Sequence, residues 1–126
     1  MFKLIKNVRM VEFVYDVAKN GGAQGVIEIG KLPAGTILLG SSTRIIENVV
    51  TPTSVGDPSV LQIGYGDDAI ALVNSTGIDS GDFDAPYSHE GVVATAVTLV
   101  ADTAVFVTVA VSDLTSGKFV VRLGIL

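Results

Sequence analysis

The stretch from Thr103 to Val111 constrains this chain more than any other. Val105, Val107, Val109 and Val111 occupy alternate positions, and Ala104, Phe106, Thr108 and Ala110 fill the positions between them. Successive side chains of an extended strand point to opposite faces, so this spacing gives a strand that is largely apolar on both sides. Such a strand belongs between layers or beneath a partner. Comparable runs flank it: Val92 to Val100 before Ala101-Asp102, and Lys118 to Ile125 after Ser112 to Gly117. β-Branched residues are stiff about χ1 and fit a pleated surface better than a helix. A chain that ends in three such runs has to build sheets.

The rest of the sequence repeats the pattern in shorter pieces. Val11, Phe13, Tyr15 and Val17 alternate with Met10, Glu12, Val14 and Asp16, and the run stops at Asn20-Gly21-Gly22. Val26 to Ile29 reads as a strand closed by Gly30, and Leu32-Pro33-Ala34-Gly35-Thr36 as a turn whose Pro and Gly set the backbone. Ile37 to Leu39 and Thr43 to Val50 read as two strands separated by Gly40-Ser41-Ser42. Thr51 to Pro58 is a loop. Val60 to Ile63 and Ala69 to Val73 are strands joined through Gly64-Tyr65-Gly66, and Asn74 to Gly91 reads as one long acidic loop. No stretch has helical periodicity, and turns recur at about ten-residue spacing, which predicts a sandwich or barrel. The expected fold is all-β: one antiparallel β-sandwich or jelly-roll of about eight or nine short strands. It spans residues 1–126 as a single domain, with residues 1–9 as a candidate N-terminal arm.

Charge is scarce and unevenly placed. Charged residues make up 17% of the chain and apolar residues 48%, against a usual charged share of about 25%. Either Thr, Ser and Gly supply the polar surface, or much of the outer surface is covered by partners. Net charge is −5, which argues against nucleic acid, whose partners need a basic face. Lys3, Lys6 and Arg9 make the start basic, yet no Lys or Arg occurs between Ile45 and Gly117. Glu47, Asp57, Asp67, Asp68, Asp79, Asp82, Asp84 and Glu90 fall in that stretch. Such asymmetry permits head-to-tail contact between copies, although solvated loops explain it as well. No membrane partner and no export signal are expected: Asp102 interrupts the most apolar stretch, and Glu12 and Asp16 interrupt the N-terminal one.

The residues offer little for chemistry. There are 0 Cys, which removes disulfides, thiolate zinc sites and a Cys nucleophile. Gly64-Tyr65-Gly66-Asp67-Asp68-Ala69 matches the letters of a dinucleotide fingerprint. However, no helix follows to hold a pyrophosphate, and two acids stand beside the glycines, so it reads as a hairpin and no cofactor is expected. Asp79, Asp82 and Asp84, with Asn74 and Glu90 near in sequence, lack calcium-loop spacing and read as a solvated acidic loop; no metal is expected. His89 is the single histidine. No nucleophile elbow accompanies it, so no catalytic residue is assigned and the chain is not expected to be an enzyme. Met1, Phe2, Lys3, Leu4, Ile5 and Lys6 mix apolar and basic side chains. With Arg9 they are the interface candidates, either as an arm that adds to a neighbour's sheet edge or as an ordinary first strand.

Three segments carry a family resemblance. Leu32-Pro33-Ala34-Gly35-Thr36-Ile37 resembles the LPAG-hydrophobic turn of small tailed-phage virion proteins. Ser59-Val60-Leu61-Gln62-Ile63-Gly64 resembles the strand that follows it there. Val105 to Val109 with Leu114 to Val121 resembles their last hairpin. Each motif is weak alone; their order and spacing make the resemblance, and the acidic 79–90 segment departs from it. The resemblance implies a virion structural protein of the capsid decoration or cement type. It would be made in the bacterial host cytoplasm and located in the virion, with the major capsid protein and other copies of itself, as a homotrimer, for partners. It brings no fixed functional residues. The alternatives are a head–tail joining, tail or fibre protein, and a glycan- or cell-surface-binding module using residues 74–91 with Tyr65, Phe83 and Tyr87 for stacking.

Overall fold

A computed structural model describes residues 9–50, 59–78, 88–91 and 97–126. Among these residues the chain forms β1 (Arg9–Asp16), α1 (Val17–Asn20), β2 (Gly25–Leu32), β3 (Ile37–Val50), β4 (Val60–Tyr65) and β5 (Asp68–Gly77). Then follow β6 (Ser88–Gly91), β7 (Val97–Thr98), β8 (Thr103–Ala110) and β9 (Ser116–Ile125). One antiparallel sheet runs β1-β9-β3-β6, with β7 also paired to β3, and the other runs β2-β8-β4-β5. Two sheets packed face to face make the β-sandwich that the strand pattern predicts.

The alternation decides which side of each strand is inside. Val105, Val107 and Val109 of β8 are buried, as are Phe119, Val121, Leu123 and Ile125 of β9. Leu61 and Ile63 of β4, Leu38 and Ile45 of β3, and Tyr15 of β1 complete the centre of the core. The Tyr15 and Phe119 rings stack at 5.0 Å between centroids, an offset geometry that adds to area burial. β1 and β2 approach closely where the Phe13 ring lies against Gly30. A Cβ at Gly30 would stand 2.7 Å from Phe13 Cγ and nearer still to two other ring carbons, so only glycine admits that ring.

Both ends of the sandwich are tied by main-chain bonds. At one end Asp16 caps α1 by accepting from the Ala18 N–H at 3.0 Å. The Tyr15 hydroxyl donates to Gly21 O at 2.6 Å. The β8–β9 connection is held there too, with Leu114 N–H on Gly22 O at 2.6 Å and Gln24 N–H on Asp113 Oδ1 at 2.9 Å. At the other end the Leu32–Ile37 turn is fastened by Gly35 N–H to Leu99 O at 2.7 Å, Leu99 N–H to Thr36 O at 2.8 Å, and Ala34 N–H to Asp102 Oδ1 at 3.0 Å.

The structure departs from the sequence reading at five places. Gly30 does not close β2, which bulges there and runs on to Leu32. Gly40-Ser41-Ser42 do not end a strand: β3 runs through them for 14 residues. Its register against β9 shifts between Leu38 and Gly40, so a bulge absorbs the glycine. Asn74 to Gly91 is not one loop: β5 continues to Gly77, pairing Leu61 with Thr76 and Val60 with Gly77, and β6 occupies 88–91. Polar residues do not prevent a strand where the backbone finds a partner, as it does here on β4. Val17–Asn20 is one helical turn rather than the end of a strand. Of the run Val92 to Val100, residues 97–98 pair with β3 and 92–96 lie outside the described residues.

Candidate interface surfaces

The two outer faces differ in chemistry. On the β1-β9-β3 face the register aligns side chains in rows across the strands. Met10 stands beside Gly124 and Gly40, Glu12 beside Arg122 and Ser42, Val14 beside Val120 and Arg44, and Asp16 beside Lys118 and Glu47. Arg122 Nε lies 2.9 Å from Glu12 Oε1 with both side chains well exposed. That Nε–H is not aimed at the carboxylate, so the contact is an ion pair rather than a directed hydrogen bond. Beside this lattice the glycines at 40 and 124 leave a shallow recess next to Met10, which is itself 59% exposed.

The β2-β8-β4 face has almost no charge. Its rows are Val26–Thr108–Gln62 and Glu28–Phe106–Gly64, followed by Lys31 beside Ala104 and Ala110 beside Val60. Glu28 and Lys31 are the charged positions among these. Val26 is 67% exposed. Val111, also exposed, follows β8 with φ of 73°, a conformation costly for a β-branched residue. The β8 side chains that the alternation left apolar on the second face, Ala104, Phe106 and Ala110, are therefore half-buried on an outward surface rather than lodged in a third layer.

The sequence-predicted interface residues are only partly placed. Met1, Phe2, Lys3, Leu4, Ile5 and Lys6 lie outside the described residues, as do Asp79, Asp82, Asp84, Phe83 and Tyr87. Arg9 is exposed, begins β1 and pairs with Ile125, so it belongs to the sheet rather than to the arm. His89 and Glu90 stand on β6, at the register positions of Thr43 and Ser42.

Gly64–Ala69 forms the β4–β5 hairpin, with Tyr65 paired to Asp68 across Gly66, whose φ is +61°. That positive φ is what a two-residue hairpin turn demands. The hairpin and the 98–104 segment border an open recess of about 510 Å³ lined by Tyr65, Asp67, Asp68 and Asp102 among others. Sequence reasoning missed this recess, because its walls come from turns more than thirty residues apart. Among the described residues no group of three or more His, Cys, Asp or Glu is placed to hold a metal ion. None of their helices is long and apolar enough to cross a membrane. Tyr15, fully buried, has its hydroxyl pKa raised from 10.0 to about 12 by desolvation. It serves the core, not a site.

No protein-family model matches the chain, and no curated protein sequence matches it. Solved structures do. A chain of the cyanophage Pam1 capsid asymmetric unit aligns at a TM-score of 0.70 with 19% identity, over 94% of this chain and 84% of that one. A chain of the Ralstonia phage GP4 capsid aligns at 0.68 with 15% identity, over 100% and 88%. A chain of the acidic stable capsid structure of Helicobacter pylori bacteriophage KHP30 aligns at 0.65 with 13% identity, over 94% and 86%. At these identities the likeness is one of fold, and it runs through nearly the whole of every chain compared.

Proposed function

We propose that this chain is a structural component of a bacteriophage virion, and within it a capsid decoration or cement protein rather than an enzyme. The fold likeness to chains of three phage capsids carries the reading. The alignments cover 94–100% of this chain and 84–88% of those chains, so the likeness is to the fold as a whole rather than to one motif. The strand order, with β1, β9, β3 and β6 in one sheet and β2, β8, β4 and β5 in the other, supports the jelly-roll form of the sandwich.

The work of such a protein is mechanical. Copies associate as a homotrimer and bridge neighbouring copies of the major capsid protein. Contacts that are weak singly become strong by repetition over a shell. A protein that binds only the mature lattice stabilises it by mass action. Met1 to Lys6 and Arg9 are the residues we assign to these contacts, and no cofactor, nucleic acid or membrane enters. Purified protein mixed with emptied heads of its own phage should co-sediment at a fixed copy number, and light scattering should give a trimer. Protein left in the supernatant overturns the reading. Deleting residues 1–6 should reduce occupancy; unchanged occupancy removes the arm from the mechanism.

One observation favours a second reading, a glycan-binding module. Tyr65 lines a recess that also holds Asp67, Asp68 and Asp102, a stacking ring beside carboxylate acceptors for sugar hydroxyls. Binding on a glycan array that is lost in Tyr65→Ala would favour it over the virion role.

A further inference from the structure

The sandwich has four sheet edges among the described residues, and they are not equally protected. β5 changes register against β4 twice. β6 is 4 residues long. β2 carries a bulge between Glu28 and Gly30 and runs into Pro33. These are the devices that stop an edge from recruiting another strand. β1 has no register shift, bulge or proline and is not short; of the protective devices it carries only the charges of Arg9, Glu12 and Asp16. It pairs with β9 through all eight residues without a register shift, it contains no glycine or proline, and no strand among the described residues pairs with its other side. Its outward side chains include Met10 and Val14, both exposed.

We infer that the β1 edge is a strand-addition site, and that its occupant is the segment 1–8 of a second copy of this chain. The segment has the chemistry of an added strand. Phe2, Leu4, Ile5 and Val8 supply apolar contacts, and Lys3 and Lys6 meet an edge that carries Glu12 and Asp16. Eight extended residues reach about 26 Å, the length of β1. The segment is poorly suited to its own edge. Folding back onto β1 needs a tight turn at Asn7-Val8, and the positive φ of a two-residue hairpin is forbidding for valine. Each copy then gives an arm and receives one. That contact is heterologous, and it closes into a ring when the rotation allows. Main-chain pairing supplies affinity, and alternate side chains supply selectivity. The inference rests on the reading of residues 1–6 as an assembly arm, and not on the virion role.

The chain lacks cysteine, so single introduced thiols report cleanly. Leu4→Cys and Ile5→Cys are made separately and each is mixed with Val14→Cys under mild oxidation. Adjacent arm residues point to opposite faces, so one of the two mixtures should give a mixed disulfide dimer and the other should not. In the unmodified chain, amides of residues 9–16 should gain hydrogen-exchange protection on oligomerisation and lose it when residues 1–6 are deleted; this second measurement stands even if a cysteine variant fails to fold. An oligomer with no mixed adduct and no gain of β1 protection overturns strand exchange while leaving the virion role intact. A disulfide that forms only within one chain carrying both thiols overturns it in favour of a hairpin. Failure to bind heads, with the mixed adduct present, overturns the virion role and leaves strand exchange standing.

Discussion

The two sheets resemble each other inside and differ outside. β9 and β8 hold matching places, each between two strands of its sheet, and each presents an unbroken row of buried side chains to the other. Their outward rows share little. β9 shows Lys118, Val120, Arg122 and Gly124 within a lattice of opposite charges, whereas β8 shows Ala104, Phe106, Thr108 and Ala110 beside a bare Val26. The inward rows answer to a single requirement, exclusion of water, and any sandwich would need them. The outward rows answer to what lies outside. The first face mixes paired charges with exposed Met10 and Val14, and the rows of the second carry only Glu28 and Lys31 as charges. Among the described outward rows, charge gathers on the β1-β9-β3 sheet.

The inner equivalence is the easiest part to break. Phe119→Ala removes a fully buried ring and its stack on Tyr15, and should cost about 3–5 kcal/mol in a urea unfolding midpoint. Val107→Ala, at the corresponding place in the other sheet, should cost less because fewer buried carbons are lost. A reversed order would mean that the β8 sheet, not the β9 sheet, holds the core together. Gly30→Ala tests the closure between the sheets. Its methyl meets the Phe13 ring, and overpacking of that kind costs about 1–3 kcal/mol. A neutral result would show that the ring swings out freely and that the β1–β2 flank is looser than its geometry.

Tyr15→Phe is a smaller change with a pH signature. Loss of the hydroxyl leaves Gly21 O without its 2.6 Å donor, worth about 1 kcal/mol near neutral pH. The native hydroxyl titrates near 12 in the fold against 10.0 in the open chain. Between those values the folded chain keeps a proton that the unfolded chain releases. Stability is then intact below pH 10, and falls by about 1.4 kcal/mol per pH unit through that window. Tyr15→Phe should lose this component of the alkaline decline. An identical slope in both proteins would place the titration elsewhere.

Much of this was legible in the sequence because alternation reports burial. Val105, Val107 and Val109 announced their inward face, and Gly66 announced its turn. Gly40-Ser41-Ser42 misled because a bulge inside a long strand uses the same residues as a break between two. Asn74 to Thr76 misled because a run of short polar residues reads as a loop, and only the pairing of Thr76 with Leu61 shows it to be strand. The pairing of β1 with β9, more than a hundred residues apart, leaves no local mark at all. The contrast between the faces was hidden for the same reason. Glu12 and Arg122 look unrelated until β1 is laid against β9, and the neutral face emerges only when β2, β8 and β4 are set side by side.

The smallest predicted effect is the one that sharpens the contrast most. Glu12→Gln breaks the Glu12–Arg122 pair, whose side chains are 51% and 42% exposed. Exposed pairs are typically worth about 0.2–1 kcal/mol and weaken with salt. The loss should sit at the low end of that range at low ionic strength and vanish as salt is raised, while solubility falls. The charged lattice would then be a solvation device, and its absence from the β2-β8-β4 face would be a difference in what each face meets rather than in what holds the fold. A salt-independent loss would instead show that the pair contributes to the fold itself. The two outer faces would then differ in structural duty rather than in solvation alone.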